Sequence, residues 1–178
     1  GIRRDMIQDI IDERKINGAY RSLDQFLLRL NQRNSKWLKL DYLVPLVSIG
    51  VFDELTKNRK QTLIQLEGKI QNIAYSGGSL ELLETMALKE AEIADYPLEE
   101  KLALEEEYLG VYLSGHPVEQ FHKLKQFKRV TDIANLVPNE LVRILLYVRK
   151  IREIRTKKGE QMAFVEGTDA SGELSVTI

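Results

Sequence analysis

The 178-residue sequence contains no cysteine, only two histidines and no run of 18 apolar residues. Without cysteine, the chain has neither disulfides nor thiolate metal ligands. The histidines, His116 and His122, lie six residues apart and near no Cys or Asp cluster, so they do not indicate a zinc or catalytic site. The sequence has neither a membrane-spanning run nor a signal-peptide pattern at its start. We therefore expect a soluble, cytoplasmic protein.

Charge is unevenly distributed along the chain, although the formal net charge is only -1. Residues 81–110 hold ten Asp and Glu against two Lys, whereas residues 141–160 hold seven Lys and Arg against two Glu. Residues 1–60 are also basic, with twelve Lys and Arg against eight Asp and Glu. The distribution of charge is therefore more informative about binding than the net charge is.

Apolar residues at helical spacing predict a helical unit over residues 1–75. The pattern favours one amphipathic helix over residues 3–15, then a helix with Ser22 as its N-cap and a helical stop at Gly50. The stretch "DELTKNRKQTLIQLEGKIQNIAY" predicts a longer helix, which ends before the glycines of "SGG" at 76–78.

Residues 76–140 are predicted to form acidic linker helices. In "LEEKLALEEEYLG", which follows Pro97, leucines recur at helical intervals and glutamates fill the other side. This pattern is typical of a solvent-facing acidic surface rather than of a metal or acid/base site.

The period of the apolar residues changes to 2 from Leu141 onwards, which predicts strands. The spacing slips around Arg149 and Lys150, which indicates a β-bulge. A basic turn and an acidic, glycine-containing turn separate the predicted strands. Residues 141–178 are therefore predicted to form a three-stranded antiparallel meander, and the fold class is α+β and mainly helical.

Four stretches resemble, in order, the C-terminal region of the bacterial DNA polymerase III alpha subunit, a replicative polymerase of the C family. "GIRRDMIQDIIDERKINGAYRSLDQFLLRL" resembles the later half of a tandem helix-hairpin-helix region, and "IGVFDELTKNRKQTLIQL" resembles the stretch after it. "YLGVYLSGHP" at 108–117 is the most specific match. "TKKGEQMAFVEGTDASGELSVTI" is similar to the opening strands of an oligonucleotide-binding (OB) fold.

The resemblance implies a DNA-binding and scaffolding fragment, with an OB fold that stops after three of its five strands. The polymerase chemistry, a nucleotidyl transfer that uses Mg²⁺, would belong to domains upstream of Gly1. We therefore expect no enzymatic activity and no cofactor in this chain. A strand left without its barrel neighbours also predicts self-association through its edge.

The sequence departs from the family pattern at three points. The hairpin turn reads Gly1, Ile2, Arg3 instead of Gly, apolar, Gly. Relatives carry a glutamine-led, aromatic-ended motif for the sliding clamp where this chain has "YSGGSLELLETM", so a clamp partner is predicted from position alone. The second OB strand has Gly167 where an apolar residue is usual.

The basic hairpin is the strongest candidate site, because it places cations and an aromatic residue within sixteen residues. Single-stranded nucleic acid needs cations along its backbone and aromatic faces on which bases stack. The alternative is a solvated hairpin with its phenylalanine in the core. At the start of the first helix, two arginines lie near free backbone N–H groups and are predicted to contact duplex phosphate. The predicted binding residues are Arg3, Arg4, Arg149, Lys150, Arg152, Arg155, Lys157, Lys158 and Phe164.

Two other functions fit parts of the sequence. The OB-like strands also resemble the anticodon-binding module of an aminoacyl-tRNA synthetase, which tRNA binding would distinguish. The acidic helix also fits a protein-interaction adaptor that is indifferent to nucleic acid.

Overall fold

The computed structural model describes residues 1–87 and 89–178. The chain forms two compact units, Gly1–Val111 and Tyr112–Ile178. The predicted division into residues 1–75, 76–140 and 141–178 stays a prediction. Within the described residues, no helix is long and apolar enough to cross a membrane.

The first unit is built of helices, and side-chain caps set where several of them begin. The Ser22 hydroxyl accepts a hydrogen bond from the Gln25 N–H, so the predicted cap is confirmed. The helices of this unit are α1 (Arg4–Asn17), α2 (Leu23–Asn34), α3 (Leu40–Ser48), α4 (Arg59–Tyr75), α5 (Leu80–Thr85) and α6 (Leu98–Leu109).

The start predicted for the longer helix at Asp53 is wrong, because α4 begins only at Arg59. The Asn58 side chain accepts from the Gln61 N–H and caps the helix there, while the preceding residues form turns. Gly50 lies just beyond α3 with a φ of +84°, which suits a glycine and confirms the predicted helical stop.

The core of the first unit lies between α1, α2, α3 and α4 and is centred on aromatic side chains. The Phe26 ring meets the rings of Tyr20 and Phe52 edge-to-face, at centroid distances of 4.9 and 4.7 Å. Trp37 is buried, and its indole N–H donates to Asp9 Oδ2 at 2.7 Å. Burying this ring therefore leaves no unpaired N–H.

The acidic helix α6 is not solvated on all of its polar side, and the predicted acidic surface is wrong at Glu105. Glu105 is fully buried, and its Oε1 accepts from Arg59 Nη1 at 3.0 Å. Arg59, itself buried, also donates to both Asp53 oxygens and to the Ser48 carbonyl at 3.1 Å. The helical period places Glu105 on the polar side of α6, where we expected it to face solvent. In the structure Glu105 is buried, and Arg59 from α4 compensates its negative charge.

The second unit contains helix α7 (His122–Lys128), two short 3₁₀ turns and an antiparallel sheet of β1 (Tyr147–Arg155), β2 (Gln161–Asp169) and β3 (Gly172–Thr177) in that order. The predicted three-stranded meander is thus confirmed. The register of β1 with β2 shifts between Val148 and Lys150, which is the predicted bulge.

The first strand begins at Tyr147 rather than at Leu141. Residues before it make other contacts: the Thr131 N–H donates to the Arg143 carbonyl at 2.7 Å. Leu146 packs over Gly167, where a Cβ would overlap the Leu146 side chain and lie 2.8 Å from the Tyr147 carbonyl oxygen. The glycine that departs from the family pattern therefore makes room for the segment that enters β1.

Asp169 shapes the turn between β2 and β3. Its Oδ1 accepts from the Ser171 N–H at 2.7 Å and from the Gly172 N–H at 3.0 Å, and its Oδ2 accepts from the Ile133 N–H at 2.9 Å. Burial opposes ionisation of Asp169, but these hydrogen bonds outweigh it and hold its pKa below the ordinary value. The carboxylate thus fixes both the turn and the loop that packs beside it.

Candidate nucleic-acid interface

The hairpin between β1 and β2 projects two lysines at its tip. The Thr156 N–H donates to the Glu160 carbonyl, and the Gly159 N–H donates to the Thr156 carbonyl, both at 2.9 Å. Gly159 has a φ of +83°, the conformation that closes short hairpin loops of this kind. Lys157 and Lys158 occupy the loop between these residues and are exposed.

One face of the sheet combines cations with the aromatic residue predicted to bind bases. Arg152 is the register partner of Phe164, and Lys150 is the partner of Glu166 two residues further along β2. Because directly opposed residues share a face, Lys150, Arg152 and Phe164 lie on the same side. Phe164 is partly exposed, between Arg152 on β1 and Thr177 on β3. We name this side the basic face.

The other side of the sheet is apolar. It carries Ile151, Val165, Leu174 and Val176, since Ile151 pairs with Val165 and Val165 pairs with Val176. Val165 is buried, Leu174 and Val176 are partly buried, and Ile151 is exposed. The core of the sheet unit therefore lies on this side, and Phe164 lies on the side away from it.

The predicted binding residues are not all brought together. Arg155 pairs with Gln161 and lies on the apolar side, at the end of β1 nearest the hairpin tip. Lys150 and Arg152 share the basic face with Phe164, and Glu166 opposite Lys150 lowers the local positive charge. None of these placements tests binding itself, so the nine binding residues stay a prediction.

Arg149 occupies the bulge and lies beside a cluster of aromatic rings. Its guanidinium carbon is 5.4 Å from the centroid of the Tyr112 ring. The Tyr112 ring lies 5.9 Å from His116 and 6.5 Å from Tyr147, and the His116 and Tyr147 rings are 6.2 Å apart. All three contacts are edge-to-face, so Tyr112 and His116 pack against the start of β1.

His116 has a structural role in this cluster. Its Nδ1 accepts from the Val118 N–H at 3.2 Å, and its Nε2 lies 3.4 Å from Thr168 Oγ1. Burial lowers the pKa of His116 below its ordinary value, more than the nearby carboxylates raise it. Burial therefore favours the neutral ring, and its contacts with Val118 and Thr168 hold the turn at Pro117 against β2.

The two N-terminal arginines belong to the other unit. Arg3 precedes the first residue of α1 and donates to both Asp5 carboxylate oxygens, each at 3.1 Å. Asp5 lies in the first turn and supplies the negative charge that a helix start favours. Arg4 is exposed and opens the helix.

Two arrangements in the structure are not predicted from the sequence: the buried pair of Arg59 with Glu105, and the aromatic cluster around Arg149. Both join residues far apart in sequence, and no local period signals either of them. Within residues 1–87 and 89–178, no group of three His, Asp or Glu side chains is placed to hold a metal ion.

Comparison with known proteins gives two consistent results. Residues 1–62 match a family model of the helix-hairpin-helix motif. Over 179 aligned residues, the whole chain is 34% identical to the DNA polymerase III subunit alpha of Streptococcus pyogenes, of which it covers 16%. Over 176 residues, 95% of the chain is 34% identical to the DNA polymerase III subunit alpha of Staphylococcus aureus strain MSSA476, again covering 16%. The chain thus spans about a sixth of the length of these relatives.

Proposed function

Because the whole chain aligns at 34% identity with a DNA polymerase III alpha subunit, we propose that it is a DNA-contacting and scaffolding section of a bacterial replicative polymerase. The observation that carries the proposal is the basic face of the sheet, where Lys150 and Arg152 lie on the same side as the partly exposed ring of Phe164. The rival functions, a synthetase module and an adaptor, have no comparable support.

Single-stranded DNA fits this face for electrostatic and steric reasons. Its phosphates would lie along Lys150, Arg152 and the hairpin lysines, and a base would stack on Phe164. The apolar side of the sheet is unsuited to this role, because its buried residues form the core of the unit. Arg155 would reach phosphate only near the hairpin tip.

The helical unit would contact duplex DNA at the start of α1. The helix-hairpin-helix match covers this region. Arg4 is exposed there, whereas Arg3 is already paired with Asp5. We therefore assign the larger part of the phosphate contact to Arg4 and to the backbone N–H groups of Arg4 and Asp5, since the Met6 N–H already donates to Asp5 Oδ1.

Polymerisation by the complete subunit, in the cytoplasm and with Mg²⁺, is part of the same proposal, but we assign none of its chemistry to this chain. Among the residues that the structure describes, the carboxylates are not grouped to hold a metal ion. Primer extension assayed with the isolated chain and Mg²⁺ or Mn²⁺ should yield no product, and any extension would contradict this assignment.

Two further partners are proposed. A sliding clamp would meet residues 75–86, where Tyr75 and Leu82 are exposed while Leu83 is buried in the helical core. Within the described residues, β1 and β3 each have one strand neighbour, so a second copy would pair along such an edge. Sedimentation velocity tests both partners. Self-association predicts a faster-sedimenting species of the chain alone, and clamp binding predicts a faster species when purified clamp is added.

The binding proposal is tested by fluorescence anisotropy with a labelled single-stranded oligonucleotide. The hairpin's share of the salt dependence, roughly three phosphate contacts with a slope of about -0.7 each, should weaken binding roughly twentyfold when salt rises from ~50 to ~200 mM. Changing Arg155, Lys157 and Lys158 together to Ala should remove most of this share. Equal affinity of this variant and the wild type would refute the hairpin contact.

A further inference from the structure

Helix α7 presents an aromatic and basic surface that the proposed function does not use. Phe127 is 80% exposed, Phe121 is 48% exposed and Leu124 is 44% exposed. None of the residues of α7 is buried. We name the set Phe121, Lys123, Leu124, Phe127, Lys128 and Arg129 the α7 patch.

Every charged residue between positions 120 and 131 is positive. Lys125 is held by an ion pair with Asp132. Lys123, Lys128 and Arg129 are exposed and form no ion pair with any residue in 1–87 or 89–178. Three cations thus face solvent within seven residues, next to two exposed phenyl rings.

Cations lie beside the exposed rings of the α7 patch. Phe121, Leu124 and Phe127 recur every three residues and so share one side of the chain. Lys123 precedes Phe127 by one helical turn, and the Lys128 ammonium lies 5.3 Å from the Phe127 ring centroid. Cations that border flat, exposed rings match a polyanion whose bases offer π-faces.

Arg129 adds an independent observation. It follows the last residue of α7 with φ of 52° and ψ of 55°, the left-handed conformation in which glycine is the usual residue. An arginine there is strained, because its Cβ crowds the backbone. An arginine at a position that favours glycine points to a role for its side chain.

The patch is fixed to the unit that carries the sheet. The Arg143 side chain donates to the Lys128 carbonyl at 3.5 Å, and the Thr131 N–H donates to the Arg143 carbonyl. Arg143 lies four residues before β1. Both surfaces are therefore carried by the compact unit Tyr112–Ile178.

We infer that the α7 patch is a second contact site for single-stranded nucleic acid, with phosphates on Lys123, Lys128 and Arg129 and a base on Phe127. Only the choice of ligand rests on the proposed function, since the site lies outside the sheet. The chain would thus hold a strand at two places.

The test uses the 178-residue chain, a labelled oligo(dT) of about 40 nucleotides, longer than a single OB-type site of roughly 4–16 nucleotides, and anisotropy over a salt series. Arg129→Gly relieves the backbone strain, so the melting temperature should be unchanged or higher. The same change should reduce the salt slope, meaning the steepness with which log K falls against log salt concentration, by about 0.7. Lys123→Gln with Lys128→Gln should lower the slope by about 1.4. Phe127→Ala should weaken binding about tenfold and leave the slope unchanged.

A sheet variant, Arg152→Gln with Phe164→Leu, separates this inference from the proposed function. Weaker binding by the α7 variants supports the inference whether or not the sheet variant binds normally. Unchanged binding by all α7 variants, alongside a weakened sheet variant, would overturn the inference and leave the proposed function standing. Absence of binding by the wild type would overturn both.

Discussion

Asp9 joins α1 to the end of α2 and to Trp37 through one carboxylate. Its oxygens accept from Trp37 Nε1 at 2.7 Å, Arg33 Nε at 3.2 Å and Asn34 Nδ2 at 3.3 Å. The hydrogen bond from Trp37, with those from Arg33 and Asn34, holds the pKa of Asp9 below its ordinary value. The ionised form therefore stabilises the folded state.

Asp9→Asn should lower the free energy of unfolding by about 1–3 kcal/mol at pH 7, because it removes a charged acceptor from three donors. Since the folded pKa is depressed, the Asp9 contribution is complete above the unfolded value of about 3.9 and is lost as the pH falls through the folded pKa. Urea titrations at pH 7 and near pH 3 should therefore show a smaller difference between the variant and the wild type at the lower pH. A difference that grows on acidification would contradict the role assigned to Asp9.

The sequence shows that Gly167 departs from the family pattern, but it does not explain why a glycine stands there. The sequence shows a glycine in a strand, which lowers the expected stability of that strand. Leu146 meets Gly167 only because the segment before β1 packs against β2, so no local sequence pattern predicts this contact.

Gly167→Ala should destabilise the sheet unit by about 1–3 kcal/mol, because the new methyl group would overlap Leu146. Gly68→Ala is the matched control, since Gly68 lies inside α4 with nothing within 4 Å of its Cβ position. That change should stabilise the helical unit by about 0.5–1 kcal/mol. Differential scanning calorimetry measures both, and equal shifts in the same direction would refute the steric account.

At the scale of helices and strands, the sequence predicts the features that depend on short-range interactions. The cap at Ser22, the bulge at Arg149 and the antiparallel meander all follow from short-range patterns and are confirmed. The predicted starts of α4 and β1 are wrong for different reasons. Asn58 caps α4 and sets its first residue, whereas the residues before Tyr147 pack against β2 instead of extending β1. Glu105 was misread because its partner Arg59 lies 46 residues away.

The pair of Arg59 with Glu105 should anchor α6 to the helical core. Glu105→Ala should lower the free energy of unfolding by about 3–5 kcal/mol, since the buried Arg59 guanidinium would lose one of its carboxylate partners. Glu107→Ala, on the exposed side of the same helix, should change stability by no more than about 0.5 kcal/mol. Chemical denaturation followed by circular dichroism compares the two, and similar losses for both variants would argue against the anchor.

At the scale of the whole chain, charge follows the division into units. Residues 1–111 carry fifteen basic and nineteen acidic residues, whereas residues 112–178 carry eleven basic and eight acidic residues. The positive excess of the second unit agrees with the proposed binding of single-stranded DNA there, since phosphate contacts dominate such affinity. The helical unit would contact DNA locally at α1 despite its net negative charge.

The contrast between charge and stacking on the basic face tests the central claim most directly. Lys150→Gln with Arg152→Gln should lower the salt slope of single-stranded DNA binding by about 1.4, because two phosphate contacts are lost. Phe164→Leu, which keeps an apolar side chain but removes the aromatic face, should weaken binding by about 1–3 kcal/mol with an unchanged slope. Circular dichroism should show both variants folded. Folded variants that bind with wild-type affinity and slope would contradict the assignment of single-stranded DNA to this face.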